Sequence, residues 1–83
     1  MKQFKKQIIE AKQQVGRMIA RLRQSAKLTQ VEMAERLGVS QSYIVALESG
    51  EENLGLETLV KLANVFKMIL SIDFKRSRRR NSS

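Results

Sequence analysis

The 83-residue chain contains neither cysteine nor histidine. Without cysteine it can form no disulfide, and without either residue it lacks the ligands of most zinc and haem sites. The absence of histidine also removes the usual general base near neutral pH. We therefore expect no metal, no other cofactor and no enzymatic activity, because no nucleophile has a base beside it.

Long apolar runs are also absent. No run approaches the ~20 residues of a membrane span, and the charged segment after Met1 lacks the apolar core of a signal peptide. We expect a cytoplasmic protein. Its length is that of one ordinary domain with a modest core, so a partner subunit would add to the surface that the protein can bury.

Positive charge is abundant and uneven. The net charge is +8, with +7 in residues 1–27, −4 in residues 28–74 and +5 from Lys75 onward. Such a balance favours a polyanionic partner, either nucleic acid or an anionic membrane surface. Residues 1–23 would suit a membrane as a basic amphipathic helix, but a folded core needs the same apolar face.

The first 25 residues carry apolar side chains at spacings of three and four, which predicts a helix over about 4–25. These side chains are Phe4, Ile8, Ala11, Val15, Met18, Ile19 and Leu22. Gly16 interrupts the pattern at a cost of about 1 kcal/mol relative to alanine. Residues 1–15 are therefore either part of one helix or a separate arm.

Two short helices follow. Thr29 and Glu32 form a capping-box pattern, so a helix should begin at about Gln30, and Gly38 is suited to end it. Ser40 is a good N-cap for a third helix over about 41–48. Helices joined this closely must cross steeply, and we expect Ala34 at their contact, with the angle filled by apolar residues at 33, 37, 39, 44 and 47.

A family pattern is carried by two segments, LTQVEMAERLGVSQSYI at 28–44 and LESG at 47–50. They resemble the Cro and phage-repressor helix-turn-helix family, often called Xre-type. The similarity continues through LETLVKLA at 56–63. It implies an all-α, four- to five-helix, lambda-repressor-like DNA-binding domain over 1–66, with the motif at 29–48. The alternative is a helical hairpin in an unrelated bundle.

The resemblance implies the residues of a DNA interface. Gln41 and Ser42 would read bases from the N-terminal turn of the recognition helix, and Val45 could contribute an apolar contact, for example with a thymine methyl. Expected phosphate contacts are Gln30, Ser40, Tyr43, Arg17, Arg21 and Lys27. Ser40 could instead be only a cap and Tyr43 only a lid on the core.

Other implied residues have structural roles or depart from the family pattern. Gln30 would also buttress Gln41, and Arg23 would form an intramolecular ion pair with Glu48. Glu51 and Glu52 stand where relatives often carry basic groups, so one domain alone should bind weakly. The additional DNA affinity would come from Arg17, Arg21 and Lys27, from a second subunit or from the tail.

The C-terminal part changes pattern. Residues 56–66 predict a helix, whereas Met68, Leu70, Ile72 and Phe74 alternate as in a strand. A lone strand leaves its backbone unpaired, so we expect residues 67–75 to pair with a second subunit as a dimerisation strand; a fifth helix is the alternative. Residues 76–83 should form a disordered basic tail that solubilises the protein, follows DNA or docks on an acidic partner.

This C-terminal arrangement, together with NLGLETL at 53–59, is similar to the HipB- and HigA-like antitoxins. The resemblance implies a homodimeric autorepressor that binds double-stranded DNA at a palindromic operator, associates with the nucleoid and neutralises a toxin protein. The alternative is a stand-alone phage- or plasmid-type regulator without a toxin partner.

Overall fold

The computed structural model describes residues 2–76, and within that range it contains four α-helices and no strand. The helices are α1 (Lys2–Ser25), α2 (Gln30–Leu37), α3 (Gln41–Ser49) and α4 (Leu56–Val65). This confirms the all-α class and the helix-turn-helix at 29–48. None of the described helices is both long and apolar enough to cross a membrane.

The first helix, α1, is continuous through Gly16, so residues 2–15 are not a separate arm. Gly16 is buried against the C-terminal part of α3. A β-carbon at this position would lie 2.6 Å from the carbonyl oxygens of both Leu47 and Glu48. Glycine therefore permits a close helix crossing, and the packing gained there outweighs the lower helix propensity of glycine.

The caps of α2 are those that the sequence predicts. The Thr29 hydroxyl accepts from the Glu32 backbone N–H at 3.0 Å, and the Glu32 carboxylate accepts from the Thr29 backbone N–H at 2.8 Å. The Thr29 hydrogen bonds lower the pKa of the Glu32 carboxyl. Gly38 ends the helix in the left-handed conformation, at φ 73°.

The third helix, α3, is bounded in a similar way. The Ser40 hydroxyl accepts from the Tyr43 backbone N–H at 3.1 Å, and Gly50 follows the helix at φ 82°. Only three residues separate α2 from α3, which is the short connection typical of a helix-turn-helix. Ala34 is buried at this contact, as expected, but Val39 is 37% exposed and does not fill the angle.

The core lies where α3 packs against α1 and α2, and α4 closes it from the side of α2. Its buried members are Ile19, Met33, Ala34, Leu37, Ile44, Leu47 and Leu62. Five of the seven come from α2 and α3. The core is therefore built mainly from the helix-turn-helix, and the outer face of α3 stays exposed.

Residues 68–76 form neither a helix nor a strand in the single chain. The alternative fifth helix is therefore absent, and no described segment of the same chain pairs with residues 68–76. Pairing of residues 67–75 with a second subunit stays a prediction. Lys67, the second residue after α4, has the left-handed conformation, at φ 55°. The predicted basic tail over 76–83 falls, apart from Arg76, outside the described residues.

Candidate nucleic-acid interface

The exposed face of α3 carries the three side chains that the sequence assigns to base reading. Gln41, Ser42 and Val45 are all exposed, and Val45 retains 44% of its accessible surface. Ile44 and Leu47, on the opposite face, are almost completely buried. The helix thus presents an amide, a hydroxyl and a branched apolar group together, a set that can contact base edges in a major groove.

Ser40 and Tyr43 flank this face and have structural contacts of their own. Besides capping α3, the Ser40 hydroxyl lies 3.1 Å from the Ser42 hydroxyl, so these two groups share a hydrogen bond. Tyr43 is half-buried and packs against the core. The capping role of Ser40 and the packing role of Tyr43 are therefore present, and a phosphate contact would be additional to them.

An ion pair between α1 and α3 lies behind the recognition face. The Arg23 Nε donates to Glu48 Oε2 at 2.7 Å, and Nη2 donates to Glu48 Oε1 at 3.0 Å. The side chains are 13% and 8% exposed, so water competes little with this bidentate contact. The Glu48 hydrogen bond raises the pKa of the Arg23 guanidinium. A further bond, from Arg23 Nη1 to the Leu28 carbonyl oxygen at 2.9 Å, joins the loop before α2 to the same site.

Gln30 joins this network from the start of α2. Its Nε2 donates to Glu48 Oε1 at 3.1 Å. Among the described residues the amide nitrogen of Gln30 therefore bonds to Glu48. The family resemblance instead implied that Gln30 would buttress Gln41. Glu48 consequently ties α1 and the beginning of α2 to the end of α3, which fixes the angle at which α3 is presented.

The basic residues expected near phosphates lie outside α3. Arg17 and Arg21 are exposed one turn apart on α1, and Lys27 is exposed just before α2. Lys27 is the second residue after α1 and has the left-handed conformation, at φ 59°. Glu51, exposed, and Glu52, half-buried, follow the recognition helix. The basic residues expected at DNA therefore lie on α1 and in the turn that follows it rather than on α3.

Two features were missed at the level of sequence. The apolar pattern presents Gly16 as an interruption, although Gly16 shares the α1 face of Ile19 and Arg23, at intervals of three and four. That spacing could have indicated a contact position. The bond between Gln30 and Glu48 has no comparable signal, because it depends on how α2 crosses α3.

The third helix is capped, and its exposed N-terminal turn carries polar side chains. A second helix and an ion pair hold it at a fixed angle. This arrangement defines a DNA-binding helix-turn-helix domain. The helix-turn-helix family model matches residues 19–69. This match includes the end of α1, the whole motif and α4. The chain belongs to the Xre-type helix-turn-helix family.

Similar proteins support this assignment. The chain is 37% identical over 57 residues to the immunity repressor protein of Bacillus phage phi105. It is 47% identical over 49 residues to y4dJ of Sinorhizobium fredii (strain NBRC 101917 / NGR234), an uncharacterized HTH-type transcriptional regulator. These alignments cover 69% and 59% of this chain, and 40% and 64% of the respective relatives.

A solved structure gives the same result for the fold. The restriction-modification controller protein C.AhdI from Aeromonas hydrophila superposes with a TM-score of 0.65 at 28% identity. The superposition covers 69% of this chain and 83% of that protein. Together with the family match, these similarities support the assignment of the chain to the Xre-type helix-turn-helix family.

Proposed function

We propose that this protein is a dimeric transcriptional repressor that occupies a palindromic operator. Gln41, Ser42 and Val45 would read the bases of each half-site. The observation that carries the proposal is their joint exposure on the first two turns of α3, a helix whose opposite face is buried. An amide can pair bidentately with adenine, a hydroxyl with either type of edge, and a branched methyl with the thymine methyl.

Phosphate contacts would set the register of the domain on DNA. The proposed donors around the motif are Gln30, Ser40 and Tyr43. In Ser40 the oxygen accepts the capping hydrogen bond, so the hydroxyl proton can be directed toward a phosphate instead of Ser42. Arg17, Arg21 and Lys27, all exposed, would add attraction that is independent of sequence.

The balance of charge at the interface favours a dimer. The recognition helix contains no lysine or arginine, and two glutamates follow it. A single domain would then bind weakly, whereas two domains on half-sites about one helical turn apart would combine their contacts. The similarity to a phage immunity repressor favours repression by occupancy of the operator.

The proposed organisation assigns residues 1–66 to the DNA-binding domain, 67–75 to dimerisation and 76–83 to a basic tail. The role in a toxin–antitoxin pair stays a prediction from sequence resemblance. It requires an adjacent gene whose product arrests growth and is neutralised when the two proteins are expressed together. Growth arrest that persists on coexpression would remove this role and leave the repressor proposal intact.

The direct test is footprinting of the DNA upstream of the protein's own gene, followed by affinity measurements on the protected site. Gln41→Ala and Ser42→Ala should each weaken specific binding about 5- to 150-fold, because a good base contact is worth about 1–3 kcal/mol. Their affinity for unrelated DNA should not change.

Gln24→Ala and Ser25→Ala are matched controls, since both residues are exposed at the end of α1. They should bind the site as the unmodified protein does. A protected site whose affinity is insensitive to changes at Gln41 and Ser42 would exclude base reading by these residues. The absence of any protected site would contradict the autorepressor.

A further inference from the structure

An open pocket lies between the turn that precedes α3 and the first two turns of α4; we call it the α3–α4 pocket. Its volume is about 290 Å³, so it can admit a group much larger than a water molecule, which occupies about 30 Å³. It is lined by Leu37, Val39, Ser40, Tyr43, Thr58 and Lys61. Among these described residues, Lys61 alone carries a charge.

The polar residues of this pocket come from two distant parts of the chain. Ser40 and Tyr43 belong to the beginning of the recognition helix, whereas Thr58 and Lys61 lie one turn apart on α4. Together they carry three hydroxyls and one ammonium, all of which can donate a hydrogen bond. Such a set suits an anion with several oxygen atoms, as a phosphate has.

The α3–α4 pocket lies on one flank of the recognition face. Tyr43 and Glu48 are five residues apart, which places them about 140° apart around α3. The buried side of α3 occupies the shorter arc between them, and the proposed base-reading side chains occupy the longer one. Glu48 is tied to Arg23 of α1, whereas Tyr43 borders α4 through the pocket. The recognition face thus has α1 on one flank and α4 on the other.

A helix that enters a major groove lies between two phosphate backbones, one on each flank. The basic residues expected at DNA are Arg17, Arg21 and Lys27, and they belong to α1 and the turn that follows it. On the flank of α4, the α3–α4 pocket offers Lys61 beside Ser40, which caps the recognition helix. Each flank therefore has its own source of positive charge.

We propose that the α3–α4 pocket binds a phosphate of the DNA backbone, with Lys61 and Thr58 as donors from α4 beside Ser40 and Tyr43. Lys61 supplies a positive charge that the recognition helix itself lacks, on the flank away from α1. This inference rests on the proposed DNA-binding function and adds two residues of α4 to it.

The existing contact of Lys61 does not prevent this role. Its Nζ lies 3.8 Å from Glu57 Oε2, and the two side chains are 59% and 86% exposed. An exposed ion pair of this length contributes little, so the ammonium can exchange the carboxylate for a phosphate. The Glu57 carboxylate opposes an anion nearby, but water and salt screen a charge that is so exposed.

Lys61→Gln tests the proposal, because it removes the charge and keeps a long polar side chain. In about 0.1 M salt it should weaken DNA binding about tenfold for each bound copy, and it should reduce the slope of log affinity against log salt by about 0.9. The loss should be the same on operator and on unrelated DNA, because a phosphate carries no sequence information. Lys61→Arg, which keeps the charge, should retain most of the affinity.

Lys67→Gln is the matched control, since it makes the same change of charge at an exposed residue beyond the end of α4, outside the pocket. It should lower the affinity and the slope less than Lys61→Gln does. Equal effects of the two substitutions would show that only net charge matters and would overturn the proposal.

Thr58→Val separates the hydroxyl from the charge, because the two side chains have the same shape. It should weaken binding about tenfold, as for one hydrogen bond to a charged group, and leave the salt slope unchanged. The affinity of the natural protein in this variant would overturn the pocket as a phosphate site, since Lys61 would then act alone.

The α3–α4 pocket and base reading fail separately in these titrations. A loss on unrelated DNA with Lys61→Gln, combined with an operator affinity that Gln41→Ala does not change, would exclude base reading and leave the pocket in place. A loss of operator affinity with Gln41→Ala, combined with equal effects of Lys61→Gln and Lys67→Gln, would overturn the pocket and leave the repressor in place.

Discussion

Gly16 of α1 lies directly against the backbone of Leu47 in α3, so closely that a β-carbon at position 16 would be 2.6 Å from the Leu47 carbonyl oxygen. The neighbouring carbonyl of Glu48 would be equally close. Both obstacles are backbone atoms, which cannot move aside as a flexible side chain can. This contact sets the distance between the long first helix and the recognition helix.

Gly16→Ala should therefore destabilise the protein, although alanine is the better helix former. We expect a loss of about 1–3 kcal/mol in the free energy of unfolding, as for other overpacked contacts. Thermal unfolding followed by circular dichroism measures it. Gly55→Ala is the control, because a β-carbon there meets nothing within 4 Å. An equal or higher melting temperature for Gly16→Ala would show that the crossing is not limited by this contact.

Arg23→Met should remove the partner of a carboxylate that is 8% exposed and that also holds Gln30. We expect the free energy of unfolding to fall by about 3 kcal/mol, because Glu48 is left without its cation. Denaturant titration measures the loss. Arg21→Met, on the exposed side of the same helix, should change stability by no more than about 0.5 kcal/mol.

The double variant Arg23→Met, Glu48→Leu sharpens this prediction. Since both charges are gone, its loss should be smaller than the sum of the two single losses. Strictly additive losses, or an Arg23→Met variant as stable as the natural chain, would show that the ion pair contributes nothing.

The capping carboxylate of Glu32 should give stability a defined pH dependence. The Thr29 hydrogen bonds lower its pKa in the folded state. Its contribution is therefore present above the unfolded-state pKa of about 4.3 and is lost as the pH falls through the lower folded-state value. The melting temperature of the natural chain should exceed that of Glu32→Gln at pH 7, and the difference should shrink below about pH 4.

Glu35→Gln is the matched control for this experiment. Glu35 is exposed on the same helix, and its carboxylate accepts no hydrogen bond from the described residues. Its substitution should leave the pH profile unchanged. A constant difference between the natural chain and Glu32→Gln across the acid range would contradict the charged cap.

The acidic loop after α3 should limit DNA affinity. Glu51→Lys replaces a repulsive charge with an attractive one next to the proposed phosphate path. Binding should become tighter and more dependent on salt, by about 0.9 in the slope of log affinity against log salt for one added phosphate contact. Titrations over a range of salt concentrations measure both quantities.

Glu10→Lys makes the same change of charge on α1, outside the motif. It should raise affinity less and leave the slope closer to that of the natural protein. Equal effects of the two substitutions would mean that only net charge matters and that the loop does not face the phosphates.

Much of the motif could be predicted from local pattern. The hydroxyl of Thr29 and the glycine at 38 mark the ends of α2, and Ser40 marks the start of α3, because caps act within one turn of the residues that form them. The apolar spacing also identified the buried sides of these helices. Val39 was misassigned because adjacency to a turn does not reveal which way a side chain points.

The C-terminal segment shows where such reasoning stops. Alternation over Met68, Leu70, Ile72 and Phe74 indicates a strand, but a strand exists only when another strand pairs with it. Alternation also cannot show that residues 68–71 lie near Met18 and Leu22 of α1. That relationship depends on where α4 ends relative to Met18.

The amino-acid sequence by itself determined the helix-turn-helix, its family and the polar residues at the tip of the recognition helix, because helix ends and amphipathic faces are encoded by residues a few positions apart. The tertiary structure alone decided that Gly16 permits the crossing of α1 and α3 and that Gln30 bonds to Glu48. Each of these joins residues distant in sequence, and their separation in space is set by helix crossing angles that no local pattern specifies.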